Sequence, residues 1–335
     1  MTDIAKQAGV SQSTVSLVLN DVPGSKVSTA TRDAVLRIAA AIGYPVPRHR
    51  RHGGAHERRL IVYLTDELAT SPHTMQTIDG ASAAAWDHDC LLAVFAGRSD
   101  PQLESAILGQ MLADPALLGV IYATIFTRAA ILPPELADTP TVLLNCHAKD
   151  GRHASVVPSE VMGGYAATMH LIEAGHRRIG FINGETWLEA AAGRLKGYRQ
   201  ALSTADIPYV PALVRVGDWQ VGDGYEHAMS LLRAPHPPTA LFCANDLMAV
   251  GAIEAARALH IEVPAQLSIV GYDDQDLARY THPPLTTVLL PNHDMGRWAA
   301  DTLIAQVRGT APLRRNNIKM DCPLVARESV AKAPR

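Results

Sequence analysis

The chain has 335 residues, of which 47% are apolar, enough to bury two or three separate cores, so a folded soluble protein is expected. It contains no apolar run near the roughly 20 residues that a membrane-spanning helix needs, and its opening "MTDIAKQAGV" lacks the apolar centre of a signal region; a cytoplasmic location without membrane contact is expected. The net charge of −3 hides a division, because residues 1–59 carry nine Lys/Arg against four Asp/Glu, a surplus of +5, and leave −8 on the remaining 276 residues. A basic head on an acidic body suggests a module that meets a polyanion and a body with another task.

Residues 4–20 read as two short helices around a tight turn. Ile4, Ala5 and Ala8 form an apolar stripe at helical spacing, Gly9 can take the left-handed turn conformation, and Ser11 is a good N-cap for the helix that follows. In that helix Val15, Val18 and Leu19 share one face, while Ser13, Ser16, Leu17 and Asn20 share the other. The outward face is short, polar and uncharged, a surface that fits a major groove, and a helix N-terminus there can donate to phosphates. A third helix follows, with Ser28 as its N-cap, Val35, Ile38 and Ile42 as its buried stripe, Gly43 after its end and Pro45 as its stop. Periodicity alone would allow any small three-helix unit.

The spacing is more specific. Ala-x-x-Ala-Gly-Val-Ser-x-x-Thr-Val-Ser-x-Val-Leu-Asn, as it stands from Ala5 to Asn20, together with "GY" at 43–44, resembles the DNA-binding signature of the lactose/galactose repressor (LacI) family. The resemblance implies a helix-turn-helix headpiece over 1–46, with Ser11, Gln12, Ser13, Thr14, Ser16, Leu17 and Asn20 as candidate DNA contacts. Leu17 departs from the family, which commonly has at this place an arginine able to bond guanine through two prongs. Leucine cannot do so; apolar contact with a thymine methyl is expected instead, with polar reading by Gln12 and Ser13.

Residues 47–59, "PRHRRHGGAHERR", form a basic hinge or linker with five arginines and three histidines around Gly53-Gly54. The family usually has a short hinge helix here, x-Pro-Asn-x-x-Ala-Arg-x-Leu, whose leucines wedge into the minor groove. In this chain Pro47 takes the asparagine place and Gly53 the central leucine place, so the wedge is missing, and each glycine opposes a helix by roughly 1 kcal/mol relative to alanine. Arg48, Arg50 and Arg51 are candidate contacts to phosphates or a narrow minor groove, the alternative being a solvated linker. His49, His52 and His56 have no cysteine beside them and no dependable helix beneath them, so no metal is expected.

From residue 60 onward apolar runs alternate with amphipathic stretches. Strands are expected at 60–64, 91–95, 119–123, 141–144, 179–182, 240–243 and 267–270, and helices at 75–87, 161–174, 193–203, 222–232 and 248–259. This rhythm implies parallel sheets covered by helices on both faces, and the length divides naturally into two doubly wound lobes, with a boundary near 157–160. The fold class is therefore a small all-α headpiece followed by α/β lobes. Ligands of such sheets sit beyond the carboxyl ends of the strands, here the cleft between the lobes. The polar residues just after the strands are Asp66, Glu67, Asn145, Asn183, Glu185, Asn245, Asp246, Asp273 and Asp274, and with Arg194 they suit a polyhydroxylated ligand, because each hydroxyl both donates and accepts. Trp187 and Trp219 are candidates to cover the apolar face of a pyranose. The bland alternative for each polar residue is a turn or an N-cap, and for each tryptophan a place in the core.

The resemblance resumes in "GHRRIGFINGE" (175–185), "RLKGYRQAL" (194–202), "FCANDLMAVGAIEA" (242–255), "VPAQLSIVGYDD" (263–274) and "PPLTTV" (283–288), which look like the ordered signatures of LacI-family effector domains. It implies lobes of periplasmic-binding-protein type, with Arg194, Asn245 and Asp273 bonding the effector, Trp219 stacking on it, and Asn145 with the loop holding Asp66 and Ser71 answering from the other lobe. It also implies crossovers: an N-lobe of 60–157 and 291–318 and a C-lobe of 158–290 and 319–330. The function implied is a DNA-binding transcriptional regulator, expected to be a homodimeric repressor on an imperfectly palindromic operator, released by a small-molecule effector, a sugar, with a nucleobase or nucleoside as the alternative. A solute-binding protein shares such a body, but here a headpiece pattern stands where a signal peptide would. No nucleophile elbow, P-loop or His/Glu metal spacing points to an enzyme, and no cofactor is expected. Cys90, Cys146, Cys243 and Cys322 are spaced as buried thiols, and His176 as a structural residue.

Overall fold

The computed structural model describes residues 2–19, 27–42, 59–68, 72–149, 151–310 and 317–334, and the chain divides into two compact units, Met1–Glu57 and Arg58–Arg335. In the first unit α1 (Thr2–Ala8), α2 (Gln12–Leu19) and α3 (Thr29–Ala41) close on Ile4, Ala5, Val15, Val18, Leu19, Val35 and Ala39. Gly9 takes φ 65° between α1 and α2, and two serines cap the helices that follow: Ser11 Oγ accepts from Thr14 N at 3.1 Å and Ser28 Oγ from Thr31 N at 3.2 Å. The spacing that groups Ile42 with Val35 and Ile38 reaches one turn too far. Ile42 is 44% exposed because α3 ends at Ala41, and Ala39 takes the core place instead. Gly43, Pro45 and the basic segment 47–58 lie outside the described residues.

The second unit runs β1 (Arg59–Thr65), α4 (Pro72–Asp87), β2 (Cys90–Ala96), α5 (Pro101–Met111), β3 (Leu117–Ala129), β4 (Thr141–His147), β5 (Ala154–Pro158), α6 (Glu160–Glu173), β6 (Ile179–Asn183), α7 (Glu189–Thr204) and β7 (Val214–Val216). It continues with α8 (Val221–Leu232), β8 (Ala240–Cys243), α9 (Asp246–Ala258), β9 (Ser268–Val270), β10 (Thr287–Val288), α10 (Asn292–Val307), β11 (Asn317–Met320) and β12 (Leu324–Val325). The first lobe is a parallel sheet of order β11-β5-β4-β3-β1-β2, the second a parallel sheet of order β7-β6-β8-β9, and β10 pairs antiparallel with β12.

Strand periodicity explains the layering. In β1, Ile61 and Tyr63 point into a core shared with Ala81 and Ala84 of α4 and Met295, Ala299 and Leu303 of α10, while Val62 and Leu64 point the other way, toward Leu108 of α5. Both faces being covered, the strand reads as an unbroken apolar run. Late in the chain, α10 and β11 rejoin the first lobe. Gly80 and Gly296 permit this crossing, because a Cβ on either would lie 1.9 Å from a backbone carbonyl of the opposite helix. In the second lobe Phe181 stacks on Phe242 and Tyr198, with centroids 4.5 and 5.2 Å apart. All four cysteines are buried, and none is in a disulfide.

β3 extends well past the expected 119–123. Its register with β4 shifts between Ala123 and Arg128, so residues 124–127 form a bulge at the carboxyl end of the sheet, facing the cleft.

Candidate functional site

In the headpiece, burial of Val15, Val18 and Leu19 turns the rest of α2 outward. Ser11, Gln12, Ser13 and Leu17 are exposed, and Thr14 and Ser16 are half-buried. Ser11 Oγ lies 2.7 Å from Ser13 Oγ and 2.8 Å from Thr14 Oγ1, so the start of α2 is a cluster of linked hydroxyls. Leu17, 37% exposed, adds an apolar side chain to this uncharged face. Asn20, Arg48, Arg50 and Arg51 lie outside the described residues.

The cleft is built by close helix packing. A Cβ on Gly164 would lie 2.5 Å from Arg194 O, and one on Gly197 would lie 2.2 Å from Val161 O, so α6 and α7 touch backbone to backbone. That approach lets Glu160 receive Arg194 in a two-pronged ion pair, Nε to Oε2 at 2.7 Å and Nη2 to Oε1 at 3.1 Å. Arg194 Nη1 also donates to Ala244 O and lies 3.6 Å from Asp273 Oδ1, and the guanidinium carbon sits 3.7 Å from the Tyr272 ring centroid and 5.5 Å from that of Trp219. Burial alone would favour the neutral arginine, but the charge of Glu160, with Tyr272 and Asp273, more than offsets it and raises the pKa.

Around this pair stand the other expected second-lobe residues. Asn245 caps α9, its Oδ1 accepting from Met248 N at 2.9 Å, while its Nδ2 donates to Trp219 O at 2.8 Å. Trp219 packs directly against Gly184, where a Cβ would fall 1.8 Å from the ring, and its Nε1 donates to Glu185 Oε2 at 3.0 Å. Asp273, buried, has longer contacts: His73 Nε2 at 3.4 Å and Gln275 Nε2 at 3.3 Å, both to Oδ2. The adjacent Asp246 accepts from Thr287 Oγ1 at 2.6 Å and Gln275 N at 2.8 Å, and burial, then repulsion by Asp273, pushes its carboxyl up to about 8. Asn145, Trp219, Asp273 and Asp274 hold positive φ of 56°, 69°, 105° and 51°, backbone conformations uncommon for residues other than glycine.

The first-lobe candidates meet a different set of partners. Asn145 Nδ2 donates to Thr124 O at 3.0 Å and Ile125 O at 3.1 Å, and its Oδ1 accepts from Thr127 Oγ1 at 2.6 Å. Asp66 Oδ1 accepts from Ile125 N at 2.9 Å, and its Oδ2 takes Arg128 Nη2 at 3.2 Å. Both residues therefore brace the 124–127 bulge. Ser71 lies outside the described residues. Trp187 stands at the cleft mouth against Phe126, centroids 6.2 Å apart.

Several strand-end residues are committed to local structure. Asp274 pairs with Arg327, Asn183 Nδ2 donates to Ala191 O, and buried His176 bridges Thr239, Ser268 and the carbonyl of Ala331, with burial lowering its pKa. Among the described residues no group of His, Cys, Asp and Glu is placed to hold a metal, and no helix is long and apolar enough to cross a membrane.

Sequence reasoning missed Glu160, His73, Asn292, Phe126 and Arg128. The glycine spacing in "GG" at 163–164 and in Gly193 and Gly197 was a readable sign of a close helix crossing, and hence of a partner for Arg194. Nothing local marks His73 or Phe126, each of which meets a residue of the other lobe.

Residues 1–46 match the family model described as bacterial regulatory proteins, lacI family, and residues 168–330 match that of the periplasmic binding protein-like domain. The chain is 31% identical over 334 residues to the HTH-type transcriptional repressor CytR of Escherichia coli (strain K12), covering 100% of this chain and 97% of that protein. It is 32% identical over 331 residues to the ribose operon repressor of Haemophilus influenzae, covering 98% of each. Among solved structures, a complex of the transcriptional regulator CelR with cellobiose has a TM-score of 0.69 at 33% identity, over 97% of this chain and 98% of that one. The lac repressor dimer bound to operator and the anti-inducer ONPF has a TM-score of 0.68 at 26% identity, over 98% of each chain.

Proposed function

Because the chain belongs to the lacI family of bacterial regulatory proteins, we propose that it is a repressor that reads an operator with α2 and is released by a sugar held between its lobes. Asp273 carries the effector half of this reading. It is a buried carboxylate whose side-chain contacts run from 3.3 to 3.6 Å, longer than the roughly 2.5–2.7 Å of a hydroxyl bonded to a carboxylate, so a ligand hydroxyl gains more there than the present neighbours do. Arg194 and Asn245 each retain an N–H beyond the bonds described above, and Trp219 offers a ring face to the same space. Carboxylate acceptor, cationic and amide donors and an aromatic face together suit a polyol. The cellobiose bound by the relative CelR and the ribose operon named for another relative favour the same class.

On the DNA side, a homodimer would place two α2 helices in successive major grooves of an imperfect palindrome. Leu17 would meet a thymine methyl, Gln12 and Ser13 would read polar edges, and Arg48, Arg50 and Arg51 would add phosphate or minor-groove contacts without a leucine wedge. The protein would work in the cytoplasm on nucleoid DNA, with no catalytic step and no cofactor. Sugar binding would favour one lobe arrangement and weaken DNA binding by a coupling of roughly 1–3 kcal/mol.

A thermal-shift screen of the full chain with sugars, sugar phosphates, nucleobases and nucleosides tests the effector class. Stabilisation by one or more sugars is expected. Stabilisation by purines and by no sugar contradicts the reading.

A further inference from the structure

We propose that the effector site extends into an outer recess that receives a second sugar ring, so that the effector is a neutral two-ring glycoside and not a single or phosphorylated sugar. This rests on the sugar reading above and adds the size and charge of the ligand.

A cavity of about 260 Å³ opens at the cleft mouth between Asp66, Phe126, Thr127 and Arg128 of the first lobe and Trp187 and Glu189 of the second. This is just below the roughly 300 Å³ at which pockets for whole small molecules begin, so it has room for one ring of a larger ligand. Its walls follow the carboxyl ends of β1 and β3 and the start of α7, the rim where such sheets bind ligands. Phe126 and Trp187 meet edge to face at 77°, yet remain 42% and 70% exposed, so two large rings are presented to the recess without being buried in a core. An aromatic pair of this kind suits the C–H face of a sugar ring.

The recess is a built feature. Phe126 sits on the β3 bulge, and the bulge is fixed by Asn145, which spends both amide hydrogens and its oxygen on Thr124, Ile125 and Thr127, and by Asp66, which takes Ile125 N. Asn145 and Asp66 are therefore positioning residues for the outer ring. The charges choose among ligands. Arg128 is matched by Asp66, while Glu67 and Glu189 add acidic charge to the lining, so a phosphate or carboxylate on the outer ring would be repelled, whereas hydroxyls find acceptors. Finally, the Phe126–Trp187 contact and the His147–Glu189 contact at 3.1 Å both join the two lobes at this rim, so a ring seated here touches both and adds to the coupling between effector and lobe arrangement.

The test is isothermal titration calorimetry of the full chain with cellobiose, maltose and lactose beside glucose, galactose and glucose 6-phosphate, repeated for Trp187→Ala and Phe126→Ala. At least one disaccharide should bind about tenfold or more tightly than its component sugars, each substitution should reduce that ratio to about threefold or less, and the phosphate should bind more weakly than glucose. A ratio near one in the unaltered chain, or a ratio that survives both substitutions, overturns the outer-ring site alone. Binding of no sugar of either size overturns the sugar reading along with it.

Discussion

His73 Nε2 lies 3.4 Å from Asp273 Oδ2, so a side chain at the start of a first-lobe helix holds a carboxylate of the second lobe. Asn292 Nδ2 donates to His73 Nδ1 at 3.1 Å and to Gln76 Oε1 at 3.2 Å, which makes Nδ1 the acceptor and leaves the ring proton on Nε2, the nitrogen nearer Asp273. The carboxylate is thus shared between Arg194 and Gln275 of its own lobe and His73 of the other. A change in the angle between the lobes would alter this sharing.

His73→Ala removes the contact from the first lobe. A close bond to a charged group contributes about 1.5–3 kcal/mol and this 3.4 Å contact contributes less, so sugar affinity is expected to fall by about threefold. Calorimetry on the variant checks this, and an unchanged or tighter affinity would show that His73 competes with the ligand instead of closing over it.

The Glu160–Arg194 pair is buried on both sides, and removing one partner strands the other charge in the second-lobe core. Glu160→Ala and Arg194→Ala are each expected to cost about 3–5 kcal/mol, lowering Tm by at least about 6 °C. The double substitution should cost less than the two single losses combined, since neither charge is then left alone. Calorimetric melts of the three variants decide it; simple additivity would mean that the two residues do not act as a pair.

Asp246 gives the stability a pH dependence of definite sign. An unfolded carboxyl titrates near 3.9, whereas in the fold burial and the charge of Asp273 raise Asp246 to about 8. Between these values the folded chain holds a proton that the unfolded chain has released, so this contribution falls as pH rises through the window and is flat above it. Asp246→Asn keeps one donor and one acceptor for Thr287 and Gln275 and cannot titrate. From pH 5 to pH 9 the variant should gain on the unaltered chain by at least about 3 °C in Tm. Parallel Tm curves would contradict the raised carboxyl.

Leu17 should specify a thymine. Selection of binding sites from random DNA is expected to return thymine at the position facing Leu17, and Leu17→Ala should weaken that preference by about 1 kcal/mol. A required guanine opposite Leu17 would rule out the apolar contact.

Much of the fold was legible because continuous apolar runs mark strands covered on both faces. The expected strand at 240–243 is β8 itself, and the helix expected at 222–232 differs from α8 by one residue. Some misses had signals. Asp100 accepts from Gln102 N and Leu103 N ahead of Pro101, a helix start for α5 that could have been read, and the 3.6-residue pattern of Met295, Ala299 and Leu303 marks α10. Others had none, as with two-residue β10 and β12. In the cleft, chain-local chemistry singled out Arg194, Asn245, Asp273 and Trp219 as candidates, and the fold gathers them in one place. It did not find Glu160 or His73, because their importance comes from which side chain lies opposite, a fact of tertiary packing. For Asn145 and Asp66 the residue type indicated a polar rim, and the hydrogen bonds show a loop being braced.

The central claim is that a ligand between the lobes controls a DNA-binding surface on another unit of the chain. It is tested most directly by fluorescence anisotropy of the full-length protein on its selected DNA site, with and without saturating amounts of the sugar that most raises Tm. The account predicts that DNA affinity falls by roughly 5- to 150-fold in the presence of that sugar, and that sugar affinity falls by the same factor when DNA is bound. DNA affinity unmoved by a ligand that clearly stabilises the protein would contradict it.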